Sequence, residues 1–138
     1  MVEGEAEAQR WELALWFRGD QLDPAALSAF LGVASSDTQT KGETRLLSSG
    51  KTVVAKVGFW RVTVSARSPT ECVAALATKF GGRLPELSRL PGVEEGVLDM
   101  LVFVEPEKEV VVEWDPGALQ QRAESGLPLQ ITATLGRD

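Results

Sequence analysis

The sequence predicts an α+β fold, with a single mixed, mainly antiparallel sheet, three helices and a C-terminal β-α-β unit. Three observations support this. Apolar residues alternate along residues 10–18 and 59–66, as in half-buried strands. Three segments start with a capping residue followed by proline, which is typical of helix starts. The chain closes with strand, helix and strand patterns in succession, which favours a parallel crossover.

The length of 138 residues favours one domain over 10–138, preceded by a flexible, acidic tail over 1–9. No apolar run reaches the roughly 18 residues of a membrane helix, and the first residues lack the apolar stretch of a signal peptide. We therefore expect a cytoplasmic protein that does not bind membranes. With one cysteine and no histidine, an internal disulfide and histidine-dependent catalysis are both excluded.

The first half of the chain contains two strong strands and two helix starts. One strand over 10–18 ends before Asp23-Pro24, which begins a helix that stops at Gly32. A hairpin is predicted around Ser49-Gly50, and a strand over 59–66 follows it. Ser68-Pro69-Thr70-Glu71 forms a capping box for the second helix, in which Cys72 is expected to be a small buried hydrophobic residue.

The second half of the chain predicts a hairpin and the closing β-α-β unit. Residues 97–104 read as a strand buried on both faces, and residues 109–114 as its hairpin partner after a turn at 105–108. Asp115-Pro116 begins the third helix, and residues 129–135 form the last strand. The side chains expected to be buried in the sheet are Trp11, Leu13, Leu15, Phe17, Trp60, Val62, Val64, Leu101, Phe103, Val112, Ile131 and Leu135.

Negative charge is concentrated in one part of the chain. Residues 94–115 carry eight acidic residues and one lysine, and the net charge of the whole chain is −6. Clustered carboxylates repel phosphate, so we expect no nucleic-acid partner, whereas a basic protein is a suitable partner. The alternative is a solvated acidic face with no partner. Trp16 lies opposite the apolar face of its strand, where it packs under a helix or marks a contact patch. The candidate partner-binding residues are Trp16, Glu105, Glu107, Glu109 and Glu113.

Several runs of residues resemble a bacterial family. These are the runs over 15–24, 30–32, 40–43 and 58–62, and the closing Asp115-Pro116-Gly117-Ala118-Leu119 with its flanking strands. Together they are similar to the family called domain of unknown function 4279, over residues 10–135. The resemblance implies a small bacterial protein encoded beside toxin genes. It therefore implies an immunity-type protein that binds and neutralises a toxin.

A second hypothesis is a small ligand-binding or catalytic domain built on an Asp20/Glu43/Arg45 corner. Its candidate residues are Arg18, Asp20, Lys41, Glu43 and Arg45, because carboxylates beside basic groups perform acid–base chemistry when burial shifts their pKa. The alternating Glu105, Glu107 and Glu109 lack the pattern of a calcium loop. The acidic stretch, the absence of histidine and the family resemblance together favour a non-enzymatic interaction protein. We expect it to hold no metal or cofactor and to be a monomer or weak dimer.

Overall fold

A five-stranded sheet with its helices on one face organises the protein. The computed structural model describes residues 10–105 and 107–135. The strands are β1 (Trp11–Gly19), β2 (Asp37–Gln39), β3 (Thr44–Leu46), β4 (Thr52–Val54), β5 (Gly58–Ala66), β6 (Glu95–Val104) and β7 (Leu129–Leu135). The helices are α1 (Pro24–Leu31), α2 (Pro69–Phe80) and α3 (Pro116–Glu124), and a 3-10 helix spans Gly81–Arg89.

The strand order of the main sheet is β2-β5-β1-β6-β7. Strand β1 is central and pairs antiparallel with both β5 and β6, whereas β6 and β7 run parallel and are connected through α3. This arrangement confirms the predicted α+β class, the mainly antiparallel sheet and the C-terminal β-α-β unit. The predicted hairpin at Ser49-Gly50 is also present, as a separate two-stranded ribbon of β3 and β4.

All three α-helices begin where the sequence predicts. The Asp23 carboxylate accepts a hydrogen bond from the amide of Ala26 at the start of α1. Ser68 and Asp115 cap α2 and α3 in the same way, and each cap is followed by proline. A capping side chain satisfies one of the amides that have no partner inside the helix, so these short motifs fix the helix starts locally.

The core lies between the helices and one face of the sheet. Alternate residues of β1 and β5 are buried on this face, as predicted: Trp11, Leu13, Leu15, Phe17, Trp60, Val62 and Val64. Leu84, Leu87 and Leu90 are buried at a spacing of three, which matches the three-residue turn of the 3-10 helix. Phe30 of α1 does not belong to this core, since 46% of its surface is exposed.

The predicted hairpin between residues 97–104 and 109–114 is wrong. Strand β6 already has β1 on one side and β7 on the other, so neither edge of β6 is free for another strand. Residues 109–114 belong to no helix or strand, and Val112 is 37% exposed instead of buried. The expected turn at 105–108 is present, because the Lys108 amide donates to the Glu105 carbonyl. Pro106, within that turn, lies outside the described residues.

The expectation that residues 97–104 are buried on both faces is wrong except at Val97, which is buried on the face opposite the helices. Strand β6 buries Leu98, Met100 and Val102 beneath the helices, but Phe103 on the opposite face is 42% exposed and Leu101 is only half-buried. Ile131 is 46% exposed because β7 is an edge strand. The predicted tail over 1–9 and the side chain of Leu135 lie outside the described residues.

Candidate functional site

A wide groove lies where the segment after β6 passes the start of α2. Its volume is about 820 Å³. One wall is formed by residues 67–70, the other by residues 109–111 and 113–116, and Trp11 contributes at the base. We refer to it as the acidic groove, because Glu109, Glu113 and Asp115 line it against a single basic residue, Arg67.

One hydrogen bond connects the two walls of the acidic groove. The amide of Asp115 donates to the Thr70 hydroxyl at 3.2 Å, which joins the start of α3 to the first turn of α2. The Asp115 carboxylate also accepts from the amide of Gly117 at 2.9 Å, so it is held as the cap of α3. The end of the groove next to α3 is therefore positioned by both helices.

The middle of the 109–114 segment has few interactions of its own. No backbone–backbone hydrogen bond joins residues 109–114 to any other described residue. Val111 is 68% exposed and Val112 is 37% exposed, although valine is usually found in buried or paired strands. The segment therefore presents apolar side chains, carboxylates and unpaired backbone groups to the solvent.

The predicted partner-binding residues do not form one surface. Glu109 and Glu113 line the acidic groove, whereas Glu105 and Glu107 do not line it. Glu105 forms an exposed ion pair with Lys108, at 3.2 Å. Trp16 pairs in register with Val97 of β6, and Glu105 follows eight residues after Val97. At the rise of a β-strand, this places Trp16 about 26 Å from Glu105.

Trp16 lies half-buried on the face of the sheet opposite the helices, so of the two alternatives predicted for it, packing under a helix is not observed. There it lines a shallow pocket of about 230 Å³ together with Arg18, Val57, Phe59 and Arg61. Of the predicted corner residues, only Arg18 reaches this pocket.

The residues of the predicted polar corner form separate ion pairs on the surface. Lys41 contacts Asp20 at 3.3 Å, and Arg45 contacts Glu43 at 4.0 Å. Each of these four side chains keeps 38–51% of its surface exposed. Exposed pairs of this kind contribute about 0–1 kcal/mol each. The predicted charges thus form separate solvated pairs, in which Asp20 contacts Lys41 and not Glu43 or Arg45, and they do not form a buried acid–base site.

Some of the charged residues of the predicted corner have ion-pair partners that the sequence did not predict. Glu95 accepts from the Arg18 guanidinium, and Asp37 lies between Arg45 and Arg61, at 3.9 Å and 3.4 Å. The Arg45 guanidinium also lies 5.9 Å from the centre of the Phe59 ring. These partners come from β2, β5 and β6, and no short motif in the sequence links them.

Cys72 is buried in α2, as predicted. None of its surface is exposed, and its Sγ–H donates to the Trp11 carbonyl at 3.5 Å. Burial raises the pKa of the Cys72 thiol to about 11. The thiol is therefore protonated and weakly nucleophilic at neutral pH.

Within residues 10–105 and 107–135, no three carboxylates or thiols converge to form a metal site. None of the helices in the same ranges is long and apolar enough to span a bilayer.

Comparison with known proteins gives no relative: no family model, no curated protein and no solved structure matches the chain. The resemblance to domain of unknown function 4279 therefore remains a prediction from the sequence motifs.

Proposed function

We propose that the protein is a non-enzymatic interaction protein that binds a basic partner protein at the acidic groove. The observation that carries this proposal is the composition of the groove wall. Glu109, Glu113 and Asp115 face one arginine, the exposed Val111 also lines the groove, and the exposed Val112 lies beside it. A basic partner neutralises the carboxylates, and its apolar side chains cover the valines.

The unpaired backbone of residues 109–114 favours a protein partner over a small ion. A peptide strand that lies along this segment receives and donates main-chain hydrogen bonds, while its Lys or Arg side chains meet Glu109 and Glu113. Nucleic acid is disfavoured because phosphates and these carboxylates repel each other. A protein partner that lies along this segment therefore accounts for both the charge and the free backbone groups.

The family resemblance suggests one class of partner. In this proposal the basic partner is a bacterial toxin, which the protein neutralises in the cytoplasm by covering part of its surface. The polar corner is not given this role, because its charged side chains already pair with each other.

The test uses two double variants with the same change in net charge. Glu109→Lys with Glu113→Lys reverses the charge of two glutamates that line the groove. Glu86→Lys with Glu124→Lys reverses the charge of two exposed glutamates outside the groove lining. Tagged wild type and both variants serve as baits in lysate of the native host. We expect wild type and the control variant to retain the same basic protein, and the groove variant to lose it.

Two results contradict the proposal. Retention of the same proteins by all three baits shows that the groove does not select the partner. Equal loss from both variants shows a dependence on overall charge alone. Circular dichroism spectra of the three proteins should superimpose, because exposed charges contribute little to stability.

A further inference from the structure

The two edges of the main sheet differ in how they are protected. Strand β2 forms one edge, with only three residues, and its Asp37 carries two ion pairs to arginine. Short, charged edge strands resist pairing with other chains. Strand β7 forms the other edge, and its seven residues, Leu-Gln-Ile-Thr-Ala-Thr-Leu, contain no charge, proline or glycine. Strand β7 therefore lacks the usual sequence features that protect an edge.

Strand β7 is also open to solvent. The five consecutive residues 130–134 are all exposed, and 46% of the surface of the apolar Ile131 is open to solvent. Within residues 10–105 and 107–135, β7 pairs with β6 and with no other strand. Its outer edge is thus free of partners in the described part of the chain.

The ladder with β6 determines which backbone groups face outward. The Leu98 amide donates to the Pro128 carbonyl at 2.9 Å, and Leu98 is in register with Leu129. In a parallel ladder, alternate residues direct both of their backbone groups to the neighbouring strand. Residues 130, 132 and 134 therefore bond to β6, while the amides and carbonyls of Ile131 and Ala133 point away from the sheet.

We propose that β7 pairs antiparallel with β7 of a second copy of this chain, about a twofold axis at Thr132. A twofold interface uses the same surface on both copies, so the strand must be complementary to itself. Full overlap of the seven residues places Ile131 opposite Ala133, which lets their outward backbone groups form hydrogen bonds. Thr132 then lies opposite Thr132, a small cross-strand pair without charge, while each Thr132 hydroxyl keeps its bond to Asp99 of the same copy. The result is one continuous sheet across both copies.

Charge selects β7 over the other unpaired segment for self-association. If residues 109–114 paired with themselves about Val111, each Glu109 would lie opposite a Glu113, and like charges in that position destabilise a strand pair. Strand β7 brings no charges together. Because each copy carries a net charge of −6, the copies repel at long range, so salt should strengthen this dimer. Binding of a basic partner at the acidic groove has the opposite salt dependence.

The test measures the oligomeric state of the full chain by sedimentation velocity, over about a hundredfold range of concentration. Ala133→Pro removes an outward amide while leaving the bonds to β6 intact. Ala133→Thr is the control, because it keeps the amide and suits a strand. We expect wild type and the control to dimerise at high concentration, and Ala133→Pro to weaken dimerisation at least about tenfold, since each dimer loses two hydrogen bonds.

Three results overturn the proposal: a wild-type protein that is monomeric throughout, a dimer that survives Ala133→Pro, or a dimer that dissociates as salt rises. If Ala133→Pro fails to fold, Thr132→Lys replaces it, because it places two lysines opposite each other at the twofold axis.

Hydrogen exchange measures the pairing of β7 directly. The amides of Ile131 and Ala133 should exchange rapidly in dilute protein and become protected on dimerisation. Protection in the dilute monomer means that another part of the chain covers the edge.

Discussion

The contact between Trp60 and Ser28 gives a sharp test of how α1 is fixed to the sheet. Trp60 lies in β5 with none of its surface exposed, and its indole Nε1–H donates to the Ser28 hydroxyl at 2.8 Å. Ser28 lies in the middle of α1. Replacing it, Ser28→Ala, removes the acceptor and leaves a fully buried donor without a partner.

The expected cost follows from this geometry. An unsatisfied buried donor lowers the free energy of unfolding by about 1–3 kcal/mol. Alanine suits a helix better than serine by about 0.5 kcal/mol, which offsets part of the loss. The net loss of about 0.5–2.5 kcal/mol corresponds to a fall in melting temperature of about 2–12 °C for a chain of this length.

Thermal and urea unfolding measure the effect. Thr78→Ala is a suitable control, because its exposed hydroxyl bonds only to a carbonyl of its own helix. Alanine also suits a helix better than threonine by about 0.5 kcal/mol, so the control should raise the melting temperature slightly and not lower it. In a Trp60→Phe background the donor is absent, so Ser28→Ala should cost nothing further. The same cost in both backgrounds would show that the hydrogen bond is not the cause.

Three further predictions concern other parts of the chain. Because the pKa of Cys72 is raised, the folded state retains its proton above the unfolded value of 9.0. The free energy of unfolding should therefore fall as the pH rises from 9 to about 11, and Cys72→Ala should abolish this fall in urea titrations. Gly19→Ala places a Cβ against the carbonyl oxygen of Gly92 and should cause a large loss in melting temperature, whereas Gly82→Ala, with open space around it, should not. Lys41→Ala removes a half-exposed ion pair and should change the free energy of unfolding by less than about 1 kcal/mol.

Local patterns predicted the elements whose cause is local. The helix starts at Asp23, Ser68 and Asp115 were predictable because each cap bonds within its own first turn. The alternation in β1 and β5 was predictable because one face of each strand is covered by helices.

Pairing between distant segments was harder to predict. Residues 109–114 have a strand-forming composition, but strand propensity states how a side chain fits a sheet and not which partner is free. The closest neighbours of β6 are β1 and β7, so this segment remains unpaired. The exposure of Ile131 likewise depends on strand order. The ion pair between Arg18 and Glu95 joins residues 77 positions apart, which no local motif reveals.

The association rate with the partner tests the central claim most directly. The basic protein retained by wild type is purified, and its binding to wild type and to the Glu109→Lys, Glu113→Lys variant is followed by stopped flow across a salt series. We expect the variant to associate at least about tenfold more slowly at low salt, with the difference shrinking as salt screens the charges. Equal association rates at low salt would contradict the claim, because the groove carboxylates would then take no part in attracting the partner.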